Sequence, residues 1–87
     1  MSSASDIYDQ NGQTIEIGDK FVKNNTVDIY EVVGYKEDGR IRCRQAIVNF
    51  GGNPFAPEKP YGSTEHLIGP IYLFFPHQVV VNKEWAK

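Results

Sequence analysis

The stretch that decides the fold is Ile29-Tyr-Glu-Val-Val-Gly-Tyr-Lys-Glu-Asp-Gly-Arg-Ile-Arg-Cys-Arg-Gln45. Two runs rich in β-branched and aromatic residues flank a short polar segment ending in Asp38-Gly39, a pattern typical of a β-hairpin. A two-residue Asp-Gly turn and a four-residue loop give the same pairing parity, because side chains alternate between the faces of a strand. The predicted core face carries Tyr30, Val32, Gly34, Ile41 and Cys43, and the predicted solvated face carries Glu31, Val33, Tyr35, Arg40, Arg42 and Arg44.

The three arginines of the second strand are the main candidate binding feature. Arg40, Arg42 and Arg44 occupy alternate positions, so a strand places their guanidinium groups on one face, roughly 7 Å apart. Each guanidinium suits a carboxylate of an acidic protein partner, or a phosphate of a nucleic-acid strand with Tyr35 stacking on a base. Alternatively, the row is a solvated strand face whose charges pair with nearby glutamates across the hairpin.

Length and charge limit the possible functions. The chain has 87 residues and a formal net charge of −2. A chain of this size buries only about 60–65% of its unfolded surface, which leaves few residues for a catalytic cleft beside the core. The small net charge provides no strong field to attract nucleic acid or an anionic membrane. No signal peptide and no apolar run of membrane-spanning length is present, so the expected location is cytoplasmic.

The order of strands and turns predicts an all-β fold. Residues 1–6 are expected to form a flexible N-terminal leader, and residues 7–87 a single small β-barrel domain. Five short strands, closely spaced turns and a proline-containing break before the last strand favour a five-stranded SH3-like barrel. Ile71–Phe75 is predicted to be a buried strand, and no amphipathic helical pattern reaches three turns.

A long Pro/Gly-rich loop is predicted at residues 51–66. Within it, Pro54–Pro60 has proline at every third position, which matches the repeat of a polyproline II helix. Phe55 and Tyr61 would project beside the prolines, and such a preordered segment loses little entropy when it docks into an aromatic groove. Alternatively, the prolines only stiffen the loop, and both aromatic side chains pack back on the barrel.

Motifs for catalysis, metals and cofactors are not recognisable. Cys43 is the only cysteine and lies on the predicted core face, so we expect an inert buried thiol. His66 and His77 lack the short ligand spacing of a zinc site. Gly51-Gly52 lacks the spacing and the following helix of a phosphate-binding loop. We therefore expect a protein that is not an enzyme and that uses no cofactor or metal.

The run Tyr8-Asp-Gln-Asn-Gly-Gln-Thr-Ile-Glu-Ile-Gly-Asp-Lys-Phe-Val22 resembles the opening of many small phage and prophage proteins. In those proteins an Asp-x-Asn-Gly turn precedes Ile-x-x-Gly-Asp and a hydrophobic strand. The matching residues here are Asp9, Asn11, Gly12, Ile15, Gly18 and Asp19, followed by the strand Tyr30–Val33. YopX-like phage proteins and other SH3-like domains share this pattern. The resemblance, over residues 8–35, implies a β-barrel of viral or mobile-element origin and carries over no functional residues.

These observations predict a non-catalytic binding module, a phage or mobile-element accessory protein that binds a host or viral protein. The predicted partner-binding residues are Tyr35, Arg40, Arg42, Arg44, Phe55 and Tyr61. The alternative is a nucleic-acid-binding β-barrel that uses the same arginine face. A third hypothesis assigns the strand edges or Phe74-Phe75 to a contact between copies of the chain, and the oligomeric state stays open.

Overall fold

The computed structural model describes residues 7–23, 28–49 and 61–85. Across these residues the chain is an antiparallel sheet with almost no helix, so the predicted all-β class is confirmed. The four strands, which lie side by side in chain order, are β1 (Lys20–Val22), β2 (Ile29–Tyr35), β3 (Ile41–Asn49) and β4 (Ser63–Phe74). A 3-10 helix at Pro76–Gln78 follows β4. No helix of the described ranges is long and apolar enough to cross a membrane.

The hairpin between β2 and β3 forms as predicted, but its loop has a different length. The Lys36 N–H donates to the Arg40 carbonyl oxygen at 2.8 Å, and the Gly39 N–H donates to the Lys36 carbonyl oxygen at 3.0 Å. The loop therefore has three residues and ends on Gly39, whose φ of 96° suits a glycine. This odd number shifts the pairing by one residue from the predicted register, so Tyr35 lies opposite Ile41.

A β-bulge between Val32 and Gly34 compensates for this shift, so that residues further along the hairpin again lie on their predicted faces. Beyond it, Val32 lies opposite Cys43, and both side chains are buried as predicted. They belong to a core cluster that consists of Ile15, Phe21, Tyr30, Val32, Ile41, Cys43, Val79 and Val81. Removing these apolar side chains from water is the main stabilising contribution to the fold.

The C-terminal segment lies beside β1, on the side away from β2. Val81 forms an isolated antiparallel bridge with Phe21. The Asn82 N–H donates to the Lys20 carbonyl oxygen at 2.8 Å. This pairing places Val81 at the β1 end of the four-stranded sheet.

A buried aspartate joins the N-terminal turn to this C-terminal segment. Asp9 is only 6% exposed, and its carboxylate accepts the Val81 N–H at 3.0 Å. The same carboxylate accepts the backbone N–H groups of Asn11 and Gln13 at 2.9 and 2.8 Å. Asp9 therefore shapes the predicted turn and also anchors the far end of the chain.

β4 is longer and more exposed than the sequence predicts. It begins at Ser63, so the expectation of a loop through residue 66 is wrong, because residues 63–66 pair with β3. The stretch Ile71–Phe75 was predicted to be buried, yet most of its side chains are exposed. The reason is its position, since β4 is the last strand in the order of the sheet and has β3 as its neighbour on one side. The expected leader, residues 1–6, lies outside the described residues.

Candidate functional site

Tyr35 does not share a face with the arginines. Its hydroxyl donates a hydrogen bond to the Ile15 carbonyl oxygen at 2.9 Å, and its ring packs against the core. The predicted position beside the arginine row is wrong, because the three-residue loop places Tyr35 opposite the buried Ile41. The side chain instead links the hairpin to the N-terminal part of the chain.

The three arginines keep their alternate spacing along one strand. Arg40 directly precedes β3, and Arg42 and Arg44 lie within it. Arg42 is exposed, whereas Arg44 is half-buried and donates its Nε–H to the Gly69 carbonyl oxygen of β4 at 3.0 Å. Arg42 is therefore the most accessible guanidinium of the row.

Arg40 is held by the hairpin loop. Its Nη2 lies 2.7 Å from Asp38 Oδ2, and its Nε–H donates to the same oxygen at 2.8 Å. The hydrogen bond from Arg40 lowers the pKa of the Asp38 carboxyl, and the same bond raises the pKa of the Arg40 guanidinium. The guanidinium carbon also lies 5.9 Å from the centre of the Phe75 ring, within the range of a cation–π contact. Arg40 thus offers a partly neutralised charge beside an aromatic ring.

An apolar row follows the edge of the sheet beside the arginines. Ile71, Leu73 and Phe75 occupy alternate positions of extended chain, so they share a face, and they are 55%, 37% and 46% exposed. Leu73 lies directly opposite Arg42 across the β3–β4 pair. We call the combined surface the Arg–apolar face; its residues are Arg40, Arg42, Arg44, Ile71, Leu73 and Phe75.

A bulge in β4 limits the use of its backbone edge. The β3–β4 register shifts between Cys43 and Gln45, and Gly69 in this region has a φ of 78°. The next residue, Pro70, has no N–H to donate. Bulges and prolines are the devices by which natural edge strands avoid pairing with other chains. The side chains of the Arg–apolar face are therefore better suited to recognition than the open edge of the strand.

The remaining predicted partner-binding residues belong to the proline-rich loop. Tyr61 is exposed and lies two residues before β4. Phe55 and the segment Pro54–Pro60 lie outside the described residues. The roles of Phe55 and Tyr61 in partner binding therefore stay predictions.

The only cysteine is chemically protected, as predicted. Cys43 is a free thiol with no exposed surface. Burial raises the pKa of the thiol to about 12, so little thiolate forms near neutral pH. Within the described ranges, no three side chains of the His, Cys, Asp and Glu types are grouped closely enough to hold a metal ion.

Sequence reasoning missed Ile71 and Leu73 of the apolar row and considered Phe75 only for a contact between copies of the chain. Ile71, Leu73 and Phe75 have the hydrophobicity of a buried strand, and the exposure of a strand depends on neighbours that are distant in sequence. Pro70, inside β4 and directly before the run, and Pro76, directly after it, were the available signal, since proline inside a strand indicates an edge position. Comparisons with protein-family models, curated proteins and solved structures find no match for this chain.

Proposed function

We propose that this chain is a non-catalytic binding module that recognises a protein partner through its Arg–apolar face. The observation that carries the proposal is the exposed row of Ile71, Leu73 and Phe75 directly beside the arginines. A contiguous exposed apolar patch with a polar rim is a mark of an interaction site. Arginine and aromatic residues are enriched where proteins contact one another.

The face also indicates the chemistry of the partner. Arg42 is exposed, and its planar guanidinium can bind a carboxylate with two hydrogen bonds. Leu73, its cross-strand neighbour, offers an apolar contact next to that charge. We expect a partner surface that places an acidic side chain beside one or two apolar ones.

The interactions that Arg40 and Arg44 already make favour a protein partner over nucleic acid. The charge of Arg40 is compensated by Asp38, and Arg44 donates its Nε–H to a backbone carbonyl. Tyr35, the expected stacking residue, packs against the core instead. Phosphate binding relies on several available cations, so the nucleic-acid alternative loses most of its support.

Fold and origin complete the proposal. An SH3-like barrel with five strands is supported by the bridge between Phe21 and Val81 and by the 3-10 helix Pro76–Gln78, which interrupts the chain before its last segment. Phage or mobile-element origin rests on the resemblance of residues 8–35. The cytoplasmic location stays a prediction.

The test is a pull-down from bacterial lysate, with and without nuclease treatment, with the tagged full chain. Arg42→Ala and Leu73→Ser remove one charged and one apolar contact of the face. Ile17→Ser is the matched control, because Ile17 is exposed but lies outside the face. Truncation of a central interface residue commonly weakens binding by more than about 1 kcal/mol, or roughly fivefold.

We expect one protein to be retained by the wild type and by Ile17→Ser, and to be lost or strongly reduced with the two face variants. Circular dichroism of each variant checks that the fold is unchanged. Equal retention by all four proteins would refute the proposed face. Recovery of nucleic acid only, and only without nuclease, would favour the nucleic-acid alternative.

A further inference from the structure

A groove opens between β1 and the C-terminal segment, away from the Arg–apolar face. Val81 bridges Phe21, and beyond this bridge the two segments enclose a cavity of about 290 Å³. Val22 and Val80 line it and are 45% and 38% exposed. The groove is thus an accessible gap in the wall of the domain.

The lining of the groove includes an aromatic pair. Phe21 is fully buried, and the Phe74 ring meets it edge to face, with centroids 5.6 Å apart and an interplanar angle of 89°. Tyr30 contacts both rings, with its centroid 5.9 Å from that of Phe21 and 5.7 Å from that of Phe74. Aromatic rings pack favourably on such clusters in offset or edge-to-face geometry. A further ring entering the groove would extend the cluster.

Two polar side chains among the lining residues add hydrogen-bond donors. The Lys23 ammonium nitrogen lies 5.5 Å from the centre of the Phe74 ring. Gln78 accepts the Phe75 N–H through its side-chain oxygen at 3.2 Å, which fixes the orientation of the amide and identifies its NH₂ group as the donor end. Both donors suit an anionic oxygen group. The charge and the lining therefore complement a ligand that is aromatic at one end and carboxylate at the other.

We propose that this groove binds the C-terminal residue of a peptide or protein when that residue is aromatic. Its ring lies against Phe74 between the two valines, and its carboxylate faces Lys23. The cavity is close to the lower end of the range of about 300–1,000 Å³ for small-molecule pockets, which suits a single side chain. The inference does not rest on the proposed function, because none of the groove residues belongs to the Arg–apolar face.

The test uses three small probes with the uniformly ¹⁵N-labelled full chain, followed by amide chemical shifts. N-acetyl-phenylalanine carries both ring and carboxylate, N-acetyl-phenylalanine amide lacks the charge, and N-acetyl-alanine lacks the ring. We expect saturable shifts of Val22, Gln78 and Val80 with the first probe and weaker binding of the second by about three- to fivefold, the contribution of an exposed ion pair. N-acetyl-alanine should cause no saturable shift.

Two variants separate charge from shape. Lys23→Gln should reduce the affinity for N-acetyl-phenylalanine to that for its amide and leave the amide affinity unchanged. Val80→Phe fills the groove and should abolish binding of both aromatic probes. Equal shifts with N-acetyl-alanine, shifts centred on Leu73, or no saturable shift with any probe would each overturn the proposal. Variants of the Arg–apolar face should bind the probes like the wild type, so failure here and failure of the proposed function are distinguishable.

Discussion

Replacement of Asp9 by asparagine should weaken the connection between the two ends of the chain. Asp9 Oδ1 accepts the backbone N–H groups of Asn11 and Gln13. Asp9 Oδ2 accepts the Val81 N–H at 3.0 Å and the Gln13 side-chain amide at 3.2 Å. Asparagine can keep the first pair of bonds, because it favours the same type of turn. Its NH₂ group then replaces Oδ2 and faces two other donors.

The magnitude follows from these contacts. A buried N–H without an acceptor costs about 1–3 kcal/mol, and the Val81 N–H loses its acceptor in this variant. The loss of negative charge weakens the remaining bonds by roughly another 1 kcal/mol, since bonds to a carboxylate are about twice as strong as neutral ones. Gln13 can rotate its amide to accept from the new NH₂ group, but it then gives up its own bond to the Val81 carbonyl oxygen at 3.1 Å. We expect the free energy of unfolding to fall by about 2–4 kcal/mol, from a value of roughly 4–13 kcal/mol that is typical of a domain of this length.

Urea unfolding followed by the fluorescence of Trp85, the only tryptophan, measures this loss. The midpoint should fall with an unchanged m-value, because the native fold and the exposed area stay the same. Hydrogen exchange should show reduced protection of the Val81 amide. Asp38→Asn is the matched control, since the same chemical change occurs at an exposed residue of the hairpin loop. A loss below about 0.5 kcal/mol, the range of ordinary surface substitutions, with Val81 still protected, would refute the role of Asp9.

Three further predictions concern single contacts. Tyr35→Phe should lower the free energy of unfolding by about 1 kcal/mol through loss of one hydrogen bond and should leave partner retention unchanged; a loss of partner would return Tyr35 to the binding site. Cys43 should react with a thiol reagent only as fast as the protein unfolds. Rapid labelling of the native protein would contradict this slow reaction. Burial raises the pKa of the Cys43 thiol to about 12, so the free energy of unfolding keeps its full value below the unfolded pKa of about 8.5 and falls as the pH rises toward the folded value. Gly62→Ala should destabilise more than Gly39→Ala, since both glycines have positive φ but a Cβ at residue 62 would lie 2.7 Å from Trp85 and one at residue 39 would touch nothing within 4 Å; equal urea midpoints would show that Trp85 yields without cost.

The hydrophobic alternation of residues 29–45 was sufficient to predict the hairpin and most of its core. The loop length was not predictable, because Asp38-Gly39 suits a two-residue turn and also a three-residue loop that ends on glycine. The bulge after Val32 leaves no distinctive pattern in a single sequence. The loop and the bulge each shift the register by one, so Val32 and Cys43 face the core as expected. The wrong prediction of faces is confined to Tyr35, which lies opposite Ile41, and to Gly34, which lies opposite Arg42.

The same reasoning explains why the candidate site was half predicted. The spacing of the arginines is local, and it is kept because β3 contains Arg42 and Arg44 and begins directly after Arg40. The exposure of Leu73 is not local, since it depends on β4 being the last strand of the sheet. An apolar run of this length has the same composition at an edge as in the centre, so composition alone predicted burial.

Two of the register shifts beside β3 help to form the Arg–apolar face. The three-residue loop places Tyr35 on the core side and Gly34 opposite Arg42, where a Cβ would lie 3.7 Å from the arginine side chain, and the bulge in β2 compensates for this shift further along the strand. The space next to the Arg42 stem is therefore not filled by a neighbour on β2. The bulge in β4 occurs at Gly69, before the apolar row, so Leu73 stays in register with Arg42. Gly34 thus leaves the β2 side of Arg42 open. The bulge at Gly69 interrupts β4 without displacing its apolar side chains, so the face favours recognition by side chains over pairing by backbone.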